Sequence, residues 1–416
     1  MKAAVACLQS LGLLLVARAD LQVSTDFESG SARVLALDSA TQTVRITPAG
    51  DPTRGMPNWW YLRVDGLDPA RPLILEVVAR ETTAPNDAGV RVPLNPYWTL
   101  PKRAAVSADG RTWRQTEPGE QSARQITYRV QPAASSLQLA WGPPFTPADA
   151  SRLVERLARD HAFARAFTLA QSREGRAVRG LRFSDGELPA LRRPAVWITG
   201  RQHAWECGGS WTAIGLAEWL AGDDPAARWL RENAEVFLVP LMDVDHVATG
   251  DGGKHAAPQD HNRDWTAAPH WPEVAAAEKE ILARSREGRL AVYLDLHNPS
   301  PWATLQTFYV QYPPYITAAG AAAQEHFLAQ ARAEFGEIRL IDGKPSKPED
   351  QPIWERISVP WTIQHGNPET VSLTFETPWN TPAGTAEGYQ ETGRKLGRAV
   401  ARHLQERIDP EPPVIR

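Results

Sequence analysis

Cysteine is nearly missing from this chain of 416 residues, which has only Cys7 and Cys207. Cys7 falls in an apolar leader-like stretch, so Cys207 stands alone, an internal disulfide framework is excluded, and a small buried filler is its simplest role. Dense lysine and arginine clusters are missing too. With a formal net charge of only -4, nothing here supports binding to nucleic acid or to an anionic membrane surface. After the first residues no apolar run reaches the roughly 18 residues needed to cross a bilayer, so no membrane span is expected in the mature chain. What is present is an ordinary globular composition, 42 % hydrophobic with 16 Trp, at a length that suits two domains. The tryptophans predict cores with a large aromatic share.

Met1 to Ala19 combines Lys2, an apolar stretch from Ala3 to Val16 and the small-x-small triplet Ala17-Arg18-Ala19. This pattern predicts a signal peptide over residues 1–19 and hence export to the periplasm or beyond; the alternative is the apolar first helix of a cytoplasmic protein. Cleavage before Asp20 would leave 43 basic against 49 acidic residues, a net charge of -6. Residues 20–146 show short alternating runs, at Thr43 to Thr47, Trp59 to Val64, Leu73 to Ala79, Arg124 to Val130 and Ser136 to Ala140, which predict an antiparallel β-sandwich. Gly142 to Pro147 reads as a linker. From 147 to 416 the pattern becomes α/β. A helix is predicted over Ala148 to Ala166, then strands at Val178 to Phe183, Ala195 to Thr199, Val236 to Pro240, Leu290 to Leu296, Thr307 to Gln311 and Val371 to Phe375. Helices alternate with them at Trp211 to Leu220, Pro272 to Arg286, Ala318 to Phe335 and Gly388 to Arg407. The expectation is a mixed, mostly parallel sheet flanked by helices, with its ligands beyond the carboxyl ends of the strands.

His203, Glu206 and His297 fall at those ends, and Glu376 follows the last strand. Two imidazoles and one carboxylate can hold one zinc ion with a position left open, and a further glutamate can act as base. The His-x-x-Glu spacing is weak evidence alone, because it also occurs at His270 with Glu273 and at His403 with Glu406. The last pair reads as a solvated pair on a helix, and Glu273 as an acid favoured at a helix N-terminus. Only His203 and Glu206 follow a strand. Gly208 and Gly209 suit a tight turn there, and Ser210 a helix N-cap.

Together these residues resemble the zinc metallocarboxypeptidases, in the subgroup where a β-sandwich precedes the peptidase domain as in the cytosolic carboxypeptidases. The resemblance rests on Ser172-Arg173-Glu174-Gly175-Arg176, Gly200 to Glu206, Asp260 to Trp265, Asp295-Leu296-His297 and Thr374-Phe375-Glu376, with Asn58 to Val64 in the sandwich. It implies one zinc ion held by His203, Glu206 and His297, the ligand set of carboxypeptidase A itself. It further implies Glu376 as general base, Asn262 and Arg263 gripping a terminal carboxylate, and Asp260 orienting His203. The family's Asn-Pro-Asp-Gly stretch is replaced by Asp243-Val244-Asp245-His246. The arginine expected to stabilise the oxyanion is not evident, and Lys254 is the nearest cation. The capping tyrosine is also missing, since no Tyr lies between Ile316 and Phe375, which leaves Trp354 or Trp361 as covers. The specificity position should lie near Val359 and implies an apolar pocket. The resulting expectation is a zinc carboxypeptidase acting on peptide C-termini. Its rivals are a zinc amidohydrolase or deacylase acting on acylated amino acids or cell-wall peptides, and a peptide-binding relative without turnover.

Overall fold

The first third builds two five-stranded sheets over one core. A computed structural model describes residues 20–85, 90–186 and 193–408, and the expected signal peptide, residues 1–19, lies outside the described residues. One sheet has the order Gln22–Ser24, Tyr61–Asp65, Ser136–Ala140, Ala105–Ser107, Arg114–Gln115. The other runs Glu120–Gln121, Gln125–Val130, Leu73–Val78, Thr43–Thr47, Arg33–Asp38. Alternation sends Leu73, Leu75 and Val77 inward to meet Leu62, Val64, Leu137 and Leu139 of the facing sheet. One pairing is parallel, Thr43–Thr47 with Leu73–Val78, because the chain between them first crosses to the opposite sheet as Tyr61–Asp65.

The remainder folds around an eight-stranded sheet in the order Ala164–Gln171, Ala177–Phe183, Glu235–Val239, Ala195–Gly200, Leu290–His297, Val371–Glu376, Thr307–Val310, Arg339–Asp342. The four central strands are mutually parallel. Ala195–Gly200 is buried along its whole length, as a strand covered on both faces must be. Register sets His297 directly beside Glu376.

The predicted helix over Ala148 to Ala166 is shorter in the structure. It spans Pro147–Asp160, opened by a reciprocal capping box between Thr146 and Asp149, and Ala164–Gln171 becomes an edge strand. Alanine-rich sequence satisfies either period. The strand wins because Gly180 of the neighbouring strand leaves room for the Phe167 ring, which a Cβ there would meet at 2.4 Å. The helices Pro225–Asn233 and Ser358–His365 and the strand Arg339–Asp342 were not anticipated.

Both halves share an aromatic seam. Trp141 at the end of the sandwich lies 5.2 Å from Trp205 and 4.5 Å from Trp379, and Trp98 lies 5.4 Å from Trp205. A second clamp joins residues 51–58 to the loop after Gly250. Met56 donates to the Lys254 carbonyl at 2.9 Å, and Arg54 meets Asp251 at 2.7 Å. Gly55 has φ +114 and passes so close to Gly253 that a Cβ would sit 2.4 Å from its nitrogen.

Candidate active site

The turn from Gly200 to Glu206 is held from inside. Arg201 is wholly buried, has φ 58, and donates to the carbonyls of Ala204 at 2.8 Å and Phe145 at 2.6 Å. The helix Cys207–Ala221 begins at once, with Glu206 as its N-cap residue. The Glu206 side chain makes no capping bond because both its oxygens are engaged elsewhere: Oε1 is 2.9 Å from His203 Nδ1, and Oε2 is 2.6 Å from His297 Nδ1. Ser210 is not the cap; it lies inside the helix, and its hydroxyl donates to the Pro240 carbonyl beyond the strand Glu235–Val239. Gly208 and Gly209 serve close packing within the first helical turn. A Cβ would come within 2.4 Å of Asn298 Nδ2 at the first and 2.6 Å of the Leu296 carbonyl at the second.

Ligand-type atoms of His203, Glu206 and His297 therefore lie within 4.8 Å of one another, a group that could hold one metal ion. Each imidazole turns its other nitrogen to a carboxylate. His203 Nε2 is 3.1 Å from Asp260 Oδ1, and His297 Nε2 is 2.9 Å from Asp295 Oδ2. Such partners fix the tautomer and aim the opposite nitrogen at an ion, so the donor set fits zinc. Burial alone would raise the Glu206 carboxyl, but the two imidazoles hold it far below the usual carboxylate range. Against the burial penalty, Asp295 and Glu206 push His297 up to about 10.

A cavity of about 290 Å³ opens beside this group, with Glu206, Glu376, Lys254, Trp98, Tyr309 and Arg339 in its wall. Burial, and then the charge of Glu206, raise the Glu376 carboxyl to about 7. Lys254 Nζ stands 3.9 Å from Glu206 Oε1. Asn262 is close by: its Nδ2 is 3.1 Å from His297 Nε2 and its Oδ1 accepts from the Ser358 amide at 3.0 Å. Arg263 lies in an adjoining cavity of about 500 Å³ together with Trp354, and Tyr309 and Ile341 line both cavities.

Several expectations change. Val359 and Trp361 are core residues, 1 % and 5 % exposed, so neither shapes the cavity wall described above. His403 is buried against His326, and it is His326 that meets Glu406 at 2.9 Å. Glu273 does open the helix Pro272–Arg286, but it is buried and bonded to His261. Tyr309, Arg339, Trp98 and the role of Asp295 were missed. Asp295 could have been found, since two residues before His297 on a strand means the same face. The others come from distant segments that only the fold brings in.

Residues 151–289 match the zinc carboxypeptidase family, and residues 23–141 match the cytosolic carboxypeptidase N-terminal domain. An uncharacterized protein of Zymomonas mobilis is 26 % identical over 61 % of this chain and 62 % of its own length. Human cytosolic carboxypeptidase 4 is 35 % identical over 28 % of this chain, and the match spans 11 % of that protein. Among solved structures, the metallo-carboxypeptidase of Burkholderia cenocepacia has a TM-score of 0.76 at 22 % identity, covering 93 % of this chain and 99 % of that one. The Pseudomonas aeruginosa metallo-carboxypeptidase, in complex with (2-guanidinoethylmercapto)succinic acid, has a TM-score of 0.74 at 22 % identity, covering 92 % and 99 %. At that identity the likeness is one of fold.

Proposed function

We propose, from the premise that this chain belongs to the zinc carboxypeptidases and carries a cytosolic carboxypeptidase N-terminal domain in front, that it removes C-terminal residues from peptides. One observation carries the reading: a His203, Glu206 and His297 group opens on a cavity whose wall also holds a partly buried acid and two cations. Zinc, when bound there, lowers the pKa of water and polarises the scissile carbonyl. Glu376 takes the water's proton and returns it to the leaving amine, a task suited to a carboxyl lifted to about 7. Lys254 is placed to meet negative charge developing on the carbonyl oxygen. Arg263 supplies the planar guanidinium that takes a terminal carboxylate in two parallel bonds, with Asn262 at its side. Asp260 and Asp295 hold the two histidines in position. With Arg339 and Lys254 in its wall, the cavity suits an anionic group better than the apolar side chain expected from Val359.

The test pairs peptides with free and amidated C-termini, with an N-acyl amino acid as a third substrate, before and after chelation. Exopeptidase action requires cleavage of the free peptide only and its loss on chelation. Preference for the N-acyl amino acid would establish the deacylase instead, and tight peptide binding without cleavage the non-catalytic relative. Export is part of the proposal, supported by the leader pattern of residues 1–19. Protein recovered from an expressing cell should begin at Asp20, and protein that retains Met1 would overturn that part alone.

A further inference from the structure

We infer that Asp243, His246 and His261 form a second metal site, structural in role, which holds a divalent transition ion of the zinc type apart from the His203 group. Their ligand-type atoms lie within 4.8 Å of one another and the three side chains are at most 1 % exposed. Asp243 caps the short helix Val244–Thr249 by accepting from the His246 amide, which brings the His246 ring back over it: Nδ1 is 2.8 and 2.9 Å from the two carboxylate oxygens. His261 approaches from the other side, its Nδ1 3.7 Å from Asp243 Oδ2.

His261 carries the argument furthest. Its ring is completely buried, yet Nδ1 has no hydrogen-bond partner although it faces Asp243, while Nε2 is 2.7 Å from Glu273 Oε1. An unmade bond on a buried ring nitrogen is costly unless something else occupies the gap. A metal-bound imidazole has this pattern, with one bare nitrogen toward the ion and an N–H given to a carboxylate behind it. The ring cannot swing away to find water. Trp271 stacks on it with ring centroids 4.3 Å apart and planes 9° apart, and meets His246 in a T-shaped contact with centroids 5.5 Å apart. Charge agrees as well: a divalent ion with Asp243 and two neutral imidazoles leaves one positive charge, which buried Glu273 balances. Two imidazoles and a carboxylate suit zinc-type ions rather than calcium or magnesium. The site would fasten the segment from Asp243 to His261, the one that carries Lys254 into the cavity wall and Asp260 to His203.

The experiment is metal analysis by mass spectrometry on the full chain, reloaded with zinc and desalted. Wild type should hold two equivalents, the His203→Ala/His297→Ala variant one, and that variant with Asp243→Asn added none. In the first-group variant, cobalt should give a ligand-field absorption that Asp243→Asn abolishes, and chelation should lower its melting temperature. Because this variant lacks the His203 group, the outcome is independent of whether the chain is an exopeptidase. A folded His203→Ala/His297→Ala variant without metal would overturn the inference and leave a protonated His261 between Asp243 and Glu273 as the explanation of the cluster.

Discussion

The group of His203, Glu206 and His297 reaches a cavity wall through Glu206; Asp243, His246 and His261, donors of the same kinds, stand behind Trp271. Both groups are buried, and each has a histidine backed by a carboxylate. The difference lies in the next residue outward. Beside the first group are Glu376, only partly buried and facing the cavity, and the ammonium of Lys254, 22 % exposed. Beside the second are an indole face and Glu273, 1 % exposed. Ligand type therefore decides what a cluster can bind, while reaction requires an acid that a substrate can reach. One fold can carry both uses of the same donors.

The hardest blow to that contrast is Glu376→Gln. Peptide turnover should fall by about 10³-fold, the middle of the range for a lost general base, with zinc content unchanged. Activity near that of the parent would place the base elsewhere and remove the distinction between the two groups. Next is Lys254→Ala, for which kcat should fall on the order of 10²-fold with KM little changed, because the ammonium meets charge that develops during the reaction. Unchanged turnover rejects that role. Asp295→Asn should weaken zinc binding at the first group by about 10-fold to 100-fold, measured by competition with a chelator, since His297 would lose the anionic acceptor that raises its basicity and fixes its tautomer.

How much of this could be read in advance depended on sequence distance. The predicted strands before His203, His297 and Glu376 end within a residue or two of the observed ones, because buried parallel strands are unbroken apolar runs and the polar residue that follows marks the sheet edge. His203 and Glu206 were legible as a pair for that reason. Trp98 was not, since a sandwich residue reaches the cavity only through the packing of Trp141, Trp205 and Trp379. Tyr309 and Arg339 sit on strands of the far sheet edge, one of them unpredicted, and no local pattern ties them to His203. The second group was hidden in plain view: Asp243 and His246 were noted as a departure, but His261 lies fifteen positions on and Glu273 twelve further, each with a sufficient ordinary reading of its own.

The smallest expected effect probes the helix Pro272–Arg286, which delivers Glu273 to the sealed group and also buries Glu278. Burial, with the charge of Asp264 nearby, lifts the Glu278 carboxyl to about 8. In the unfolded chain the same group ionises near about 4.3. Between these values the folded protein keeps a proton that the unfolded chain has released. Stability must therefore decline as pH rises through that window, with the penalty absent below it and complete above it. Glu278→Gln removes the titration, so the variant should gain on the parent as pH increases, by about 2 °C in Tm at pH 8 and by nothing at pH 4. Melts at several pH values measure it. A gap of constant size would mean that Glu278 is ionised in the folded protein, and the helix behind the second group would then be wetter than a closed structural site requires.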